Sequence, residues 1–79
     1  MQIELRGVTS SQIEAIGHDE ATNTLAIRFK NKDGSPGSIY TYANVTHEDW
    51  IAFASAESIG SAFYKTFKNN PQKYPYTKQ

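Results

Sequence analysis

Hydrophobic and polar positions alternate with a period of two residues through the first half of the chain. The clearest run spans residues 23–30, where three apolar side chains share one face: Leu25, Ile27 and Phe29. Residues 13–18 predict a strand before it, and residues 38–43 predict a strand after it with Tyr40 and Tyr42 on one face. Because short polar segments separate the three runs, we expect an antiparallel meander.

The pattern changes to a helical period after Val45. Thr46 is typical of an N-cap and predicts a first helix that ends at about Ala56. Ser58 can cap a second helix, which runs from Ile59 to about Asn69, where Asn70-Pro71 stops it. The apolar stripe of this second helix should face the core. Its opposite, exposed side carries a tyrosine and two lysines: Tyr64, Lys65 and Lys68.

These elements predict an α+β fold, a small antiparallel three-stranded meander followed by two helices packed on one face. At 79 residues the chain should form one domain. We expect its core at about 11–76, an N-terminal arm or edge strand at 1–10, and a C-terminal tail at 72–79. Aliphatic residues are few and ten residues are aromatic, which favours a core rich in aromatic side chains. We expect the following residues to form it: Leu25, Ile27, Phe29, Trp50, Phe53, Phe63 and Phe67.

Several short motifs occur in a characteristic order along the chain. They are Ser11-x-Ile13-x-x-Ile16-Gly17-x-Asp19, the triplet Leu25, Ile27 and Phe29, then Tyr40-Thr41-Tyr42 and Val45, Ser58-x-Gly60-x-x-Phe63, and Tyr74-Pro75-Tyr76. In this order they resemble the KTSC domain family, named for its occurrence at the C-terminus of some lysyl-tRNA synthetases and also found as single-domain bacterial and phage proteins. The resemblance implies the same meander and two helices, and RNA binding has been proposed for the family. Ser61 stands where the family usually has a basic residue, which weakens the transfer of an anion site to that turn.

The net charge is zero, but the charges are segregated along the chain. Residues 47–57 contain three acidic residues and no Lys or Arg, whereas residues 58–79 contain four lysines and no acidic residue. Lysines interleaved with tyrosines suit phosphates and stacked bases. We therefore predict a non-enzymatic binding module for RNA or a small nucleotide, with a basic and aromatic C-terminal surface: Tyr64, Lys65, Lys68, Lys73, Tyr74 and Tyr76.

Other candidate binding residues lie outside that surface. Tyr40 and Tyr42 share a strand face and could stack bases, although burial of at least one ring is the stronger expectation. Arg28 could extend the surface on the outer face of the sheet. The turn at Ser58 and Gly60 could bind an anion, but a capped helix start explains it more simply.

The sequence favours neither catalysis nor a metal or other cofactor. It contains no cysteine and no Gly-x-Ser-x-Gly elbow. Two acidic triplets, His18-Asp19-Glu20 and His47-Glu48-Asp49, could cooperate in metal binding only if the first turn met the start of the first helix. Helix capping is the favoured interpretation of the second triplet.

The leading alternative function is a phage-type protein-interaction module, an inhibitor or accessory subunit that uses an aromatic patch or an open sheet edge. A homo-oligomer fits either function. The sequence shows no signal peptide and no apolar stretch long enough for a membrane span, so we expect a cytoplasmic protein, in the bacterial host if it is phage-encoded.

Overall fold

The computed structural model describes residues 3–8, 10 and 12–78. Ser11, at which the family resemblance begins, lies outside the described residues, as do residues 1–2, 9 and 79. The elements follow the chain in this order: β1 (Arg6–Gly7), β2 (Ile13–Asp19), β3 (Thr24–Lys30), β4 (Pro36–Tyr42), α1 (His47–Ala54), α2 (Ile59–Phe63) with a π-helical continuation (Tyr64–Lys68), and β5 (Tyr76–Lys78).

The sheet has five antiparallel strands in the order β1-β2-β3-β4-β5. The prediction of a three-stranded meander is therefore wrong, although the α+β class holds. The two additional strands lie at the edges, where Arg6 pairs with Ile16 and Tyr76 pairs with Tyr42. They are two and three residues long, too short for an alternating pattern to reveal them.

The core lies between one face of this sheet and the two helices. In β3, Leu25 and Ile27 are fully buried, and their partners across the sheet, Tyr42 and Tyr40, lie on the same face. The helices cover this face with buried phenylalanines that belong to one hydrophobic cluster with the strand residues: Phe53, Phe63 and Phe67. Much of the core is aromatic, as the composition predicts.

The second face of the sheet is approached by the N-terminal arm. A Cβ added at Gly17 would collide with the Glu4 carbonyl oxygen and come within 3.0 Å of the Ile3 side chain. Only glycine therefore permits this close approach. Its cross-strand partner Ala26 is 3% exposed. Arg28, two residues further along β3, lies on this second face because side chains alternate along a strand.

Both predicted N-caps are confirmed. The Thr46 hydroxyl accepts from the Asp49 backbone N–H at 3.2 Å, and the Ser58 hydroxyl accepts from the Ser61 N–H at 3.3 Å. The first helix ends at Ala54, two residues earlier than predicted. Within the part of the chain that the structure describes, no helix has the length and apolar character needed to cross a membrane.

Candidate functional site

A groove of about 470 Å³ opens between the sheet and the second helix. Seven of the residues that line it are aromatic, and these define what we call the aromatic groove: Phe29, Tyr40, Tyr42, Phe63, Tyr64, Phe67 and Tyr76. Lys68 also lines it and brings a positive charge to a wall that is otherwise mostly apolar. Its volume lies within the range of ordinary small-molecule sites.

The pairing of β4 with β5 builds one wall of the aromatic groove. Tyr42 pairs with Tyr76 in the register of the two strands. The Tyr76 ring centroid lies 5.8 Å from that of Tyr42 and 5.9 Å from that of Tyr40. Phe29 on β3 extends the wall, with its centroid 5.4 Å from that of Tyr40. The rings meet at tilted or edge-to-face angles, which are favourable for aromatic pairs.

The second helix builds the opposite wall where it changes from α to π geometry. Phe63 closes the α-helical part and packs edge-to-face on Tyr42 and Phe29. Tyr64 and Lys68 begin and end the π-helical turn, and the Lys68 Nζ lies 4.4 Å from the centroid of the Tyr64 ring. Such a turn is rare and frequently occurs at functional sites.

Burial controls the ionisation of the tyrosine at the base of the groove. Burial, reinforced by the neighbouring Tyr76 and Tyr40 hydroxyls, raises the pKa of Tyr42 to about 12. Tyr42 is therefore a neutral phenol at physiological pH. Tyr42 is only 5% exposed, so the expected burial of one tyrosine of the strand pair is confirmed, and its neutral hydroxyl adds no negative charge that would repel phosphate.

The structure brings five of the eleven predicted site residues into this groove: Tyr40, Tyr42, Tyr64, Lys68 and Tyr76. Lys65 is exposed on the same helical turn but does not line the groove. Arg28 lies on the other face of the sheet, so it cannot extend this surface. The tyrosines of the sheet and the exposed side of the second helix, which were predicted separately, thus line the same groove.

Lys73 and Tyr74 lie outside the aromatic groove. Tyr74 is 2% exposed, and its hydroxyl donates to Asp49 Oδ2 at 3.0 Å. Burial is the main cause that raises the pKa of Tyr74. The Lys73 Nζ lies 5.1 Å from the centroid of the Tyr74 ring. Tyr74 was predicted to contribute to the binding surface, but its ring is enclosed and cannot stack on a base.

Ser58 and Gly60 line a second, smaller space of about 250 Å³. We call it the polar recess, and the side chains and backbone that define it are mostly polar: Ser10, Gln12, Glu57, Ser58, Gly60 and Ser61. The Glu57 carboxylate would repel an anion there, so the geometry does not favour the predicted anion site. A Cβ at Gly60 would meet Ser10 Oγ at 3.6 Å, an ordinary contact, so close packing does not require glycine.

The two acidic triplets do approach each other. Glu20 Oε1 lies 2.5 Å from His47 Nδ1 at the exposed start of α1. His18 instead packs into the fold, with its ring stacked 5.5 Å from Trp50 and its Nε2 2.6 Å from the Val45 carbonyl oxygen. No group of three or more metal-ligating side chains comes together among residues 3–8, 10 and 12–78.

Several groove residues were not predicted as site residues. Phe29, Phe63 and Phe67 carry the signal of core residues, and they serve the core and the groove at once. Polar groups from Gln12, Asn31 and Ser38 also line it. Gln12 and Asn31 lie just outside β2 and β3, Ser38 lies within β4, and no local pattern in the sequence marks them.

The chain is similar to known proteins in both sequence and fold. Residues 9–74 match the family model described as "KTSC domain". The chain is 34% identical over 67 residues to an uncharacterized protein of Stutzerimonas stutzeri (strain A1501), a match that covers 85% of this chain and 84% of the relative. It is also similar to the crystal structure of a KTSC domain protein from Yersinia pestis, with a TM-score of 0.81, 29% identity and 99% of each chain covered.

Proposed function

The chain belongs to the KTSC domain family, and we propose that this member is a non-enzymatic binding module for single-stranded RNA or a small nucleotide. The aromatic groove is the proposed site. The observation that carries the proposal is a space of about 470 Å³ with seven aromatic residues and one lysine in its lining.

The shape and chemistry of the groove suit a nucleobase. Every base has a π-face, and stacking on an aromatic side chain contributes about 1–3 kcal/mol per base. Tyr64 and Tyr76 are 40% and 59% exposed, so their rings are accessible from solvent. A base exposes its faces only when it is unpaired, which favours single strands and free nucleotides over a duplex.

The charge around the groove suits the phosphate that accompanies a base. Lys68 lines the groove, and Lys65 is exposed on the same turn of the helix. Lys78 follows Tyr76 on β5 and is also exposed. These ammonium groups can bind phosphate as point charges without the geometric demands of a guanidinium.

The proposal is tested by fluorescence anisotropy with a labelled single-stranded RNA octamer of randomised sequence. Binding should weaken as salt rises, by a slope of about 0.7 in log K per log salt for each phosphate contact. The Lys65→Glu, Lys68→Glu double variant should abolish it. Tyr64→Ala should weaken binding by about 1–3 kcal/mol through the lost stacking surface.

A matched control separates the site from general charge. Lys68→Glu and Arg6→Glu change the net charge equally, but Arg6 lies in β1 at the far edge of the sheet. Only Lys68→Glu should reduce RNA binding strongly. Equal losses would rule out the groove as the site. RNA binding that is unchanged between low and moderate salt would count against the proposal.

A further inference from the structure

The aromatic groove and the polar recess are adjacent and have two lining residues in common. Gln12 and Tyr64 line both spaces. A ligand whose ring stacks in the groove therefore has a polar space within reach on the other side of the Tyr64 side chain. The second space is about 250 Å³, which is smaller than the groove.

The lining of the recess is suited to hydroxyl groups and unsuited to phosphate. It offers the Glu57 carboxylate, the Gln12 amide and the hydroxyls of Ser10, Ser58 and Ser61. None of the described residues that line it is a lysine or an arginine. A carboxylate only accepts hydrogen bonds when ionised, so its natural partner on a neutral ligand is an O–H or N–H donor.

Two of the serines keep a donor for the ligand. The Ser10 hydroxyl oxygen accepts from the Gln12 and Ile13 backbone N–H groups at 3.3 Å each. The Ser58 oxygen accepts from the Ser61 N–H at 3.3 Å. Each of these hydroxyls can still donate its own proton. The recess thus presents both acceptors and donors, which matches a ligand hydroxyl that does both.

We infer that the polar recess receives the ribose of a ligand whose base stacks in the aromatic groove, with Glu57 accepting a hydrogen bond from the 2′-hydroxyl. The inference rests on the proposed function and makes it more specific, because the 2′-hydroxyl is the group that distinguishes RNA from DNA. The recognised chemistry is a ribonucleotide, either within a strand or free.

The test compares ligands that differ only in that hydroxyl. Randomised single-stranded octamers are prepared as RNA and as DNA with uracil in place of thymine, and their affinities are measured by anisotropy at one salt concentration. Adenosine monophosphate and its 2′-deoxy form are compared by calorimetry. The ribo form should bind about tenfold more tightly in whichever pair binds, since one hydrogen bond to a charged group is lost. The pair that binds identifies the source of the ribose as a strand or a free nucleotide.

A charge-matched pair of variants locates the effect. Glu57→Gln should reduce the ribo-to-deoxyribo ratio towards one. Glu48→Gln removes the same charge from an exposed position at the start of α1, outside the recess, and should leave that ratio unchanged. Equal binding of the ribo and deoxyribo forms to the unmodified protein would overturn the inference and leave the proposed function standing. No binding of any of the four ligands would overturn both.

Discussion

Tyr74 and Tyr76 are separated by a single proline, yet the structure treats them in opposite ways. Tyr74 is 2% exposed, and Tyr76 is 59% exposed. The first belongs to a closed cluster of rings with Phe53 and Phe67, and the second forms the open edge of the aromatic groove. The two environments differ in how completely neighbours surround the ring and in what the hydroxyl contacts.

The closed cluster satisfies the polar end of its tyrosine. Phe67 packs edge-to-face on both partners, with centroids 4.8 Å from Tyr74 and 5.1 Å from Phe53. The Tyr74 hydroxyl donates to Asp49 Oδ2. Backbone contacts hold the segment in place, because the Ala43 N–H donates to the Pro75 carbonyl oxygen at 2.9 Å. A buried tyrosine with a hydrogen-bonded hydroxyl stabilises the fold and is closed to a ligand.

The groove leaves aromatic surface without such enclosure. The Tyr76 ring lies beside Tyr40 and Tyr42, but its strand is the edge of the sheet and all three of its residues are exposed. Apolar surface kept open in a small domain costs stability that burial would have contributed. The contrast therefore indicates that the cluster serves stability, whereas the open rings of the groove are accessible to the ligand that we propose.

Among the variants that test this contrast, Phe67→Ala should lose the most stability. Phe67 is 1% exposed at the centre of the closed cluster, and it also lines the groove. Removing a buried phenylalanine ring costs about 3–5 kcal/mol. A domain of this size has little stability to spare, so urea denaturation should show a largely unfolded or marginally stable variant.

The matched variant in the groove is Tyr76→Ala. It removes cross-strand ring contacts that contribute about 0.2–1 kcal/mol each, so its free energy of unfolding should fall by about 1 kcal/mol. Similar losses for Phe67→Ala and Tyr76→Ala would show that both regions are structural and would break the comparison.

An effect between those of Phe67→Ala and Tyr76→Ala should follow from Tyr74→Phe, which keeps the ring and removes its hydroxyl. A hydrogen bond to a charged acceptor contributes about 1.5–3 kcal/mol, and we expect a loss in that range. A double-mutant cycle with Asp49→Ala isolates this pair, because Asp49 also lies in the first turn of α1 and interacts with the helix dipole. Tyr64→Phe, at an exposed position, should change stability little. A coupling energy near zero between Tyr74 and Asp49 would contradict the assignment.

Local sequence patterns predicted the elements that are long enough to show a period. The three central strands are seven residues long each, and their observed bounds lie within two residues of those predicted. The edge strands are too short to carry such a signal. β5 exists because Tyr76 can pair with Tyr42, a contact between residues far apart in the chain.

The site could be predicted only in separate parts. The sequence indicated a tyrosine pair on a strand and a basic, aromatic helix side, but not that Tyr40, Tyr64 and Tyr76 converge. Their convergence depends on how the helix packs and on the pairing of β5. The burial of Tyr74 was equally hidden, because its hydroxyl partner Asp49 lies 25 residues earlier in the chain.

The last expected effect appears in alkaline solution and concerns Tyr42, which lies between the two regions with its ring near both Phe67 and Tyr76. Burial raises the pKa of Tyr42 from 10.0 to about 12, so the folded protein holds this proton more tightly than the unfolded chain. Its contribution to stability is complete below pH 10 and is lost as the pH rises towards 12. The melting temperature should therefore fall over this interval, and Tyr42→Phe should fall less steeply than the unmodified protein. Tyr64→Phe serves as the control for loss of an exposed hydroxyl. If all three proteins lost stability in parallel, Tyr42 would have to be as open to water as the groove's outer rings, and the boundary between the closed cluster and the groove would need to be redrawn.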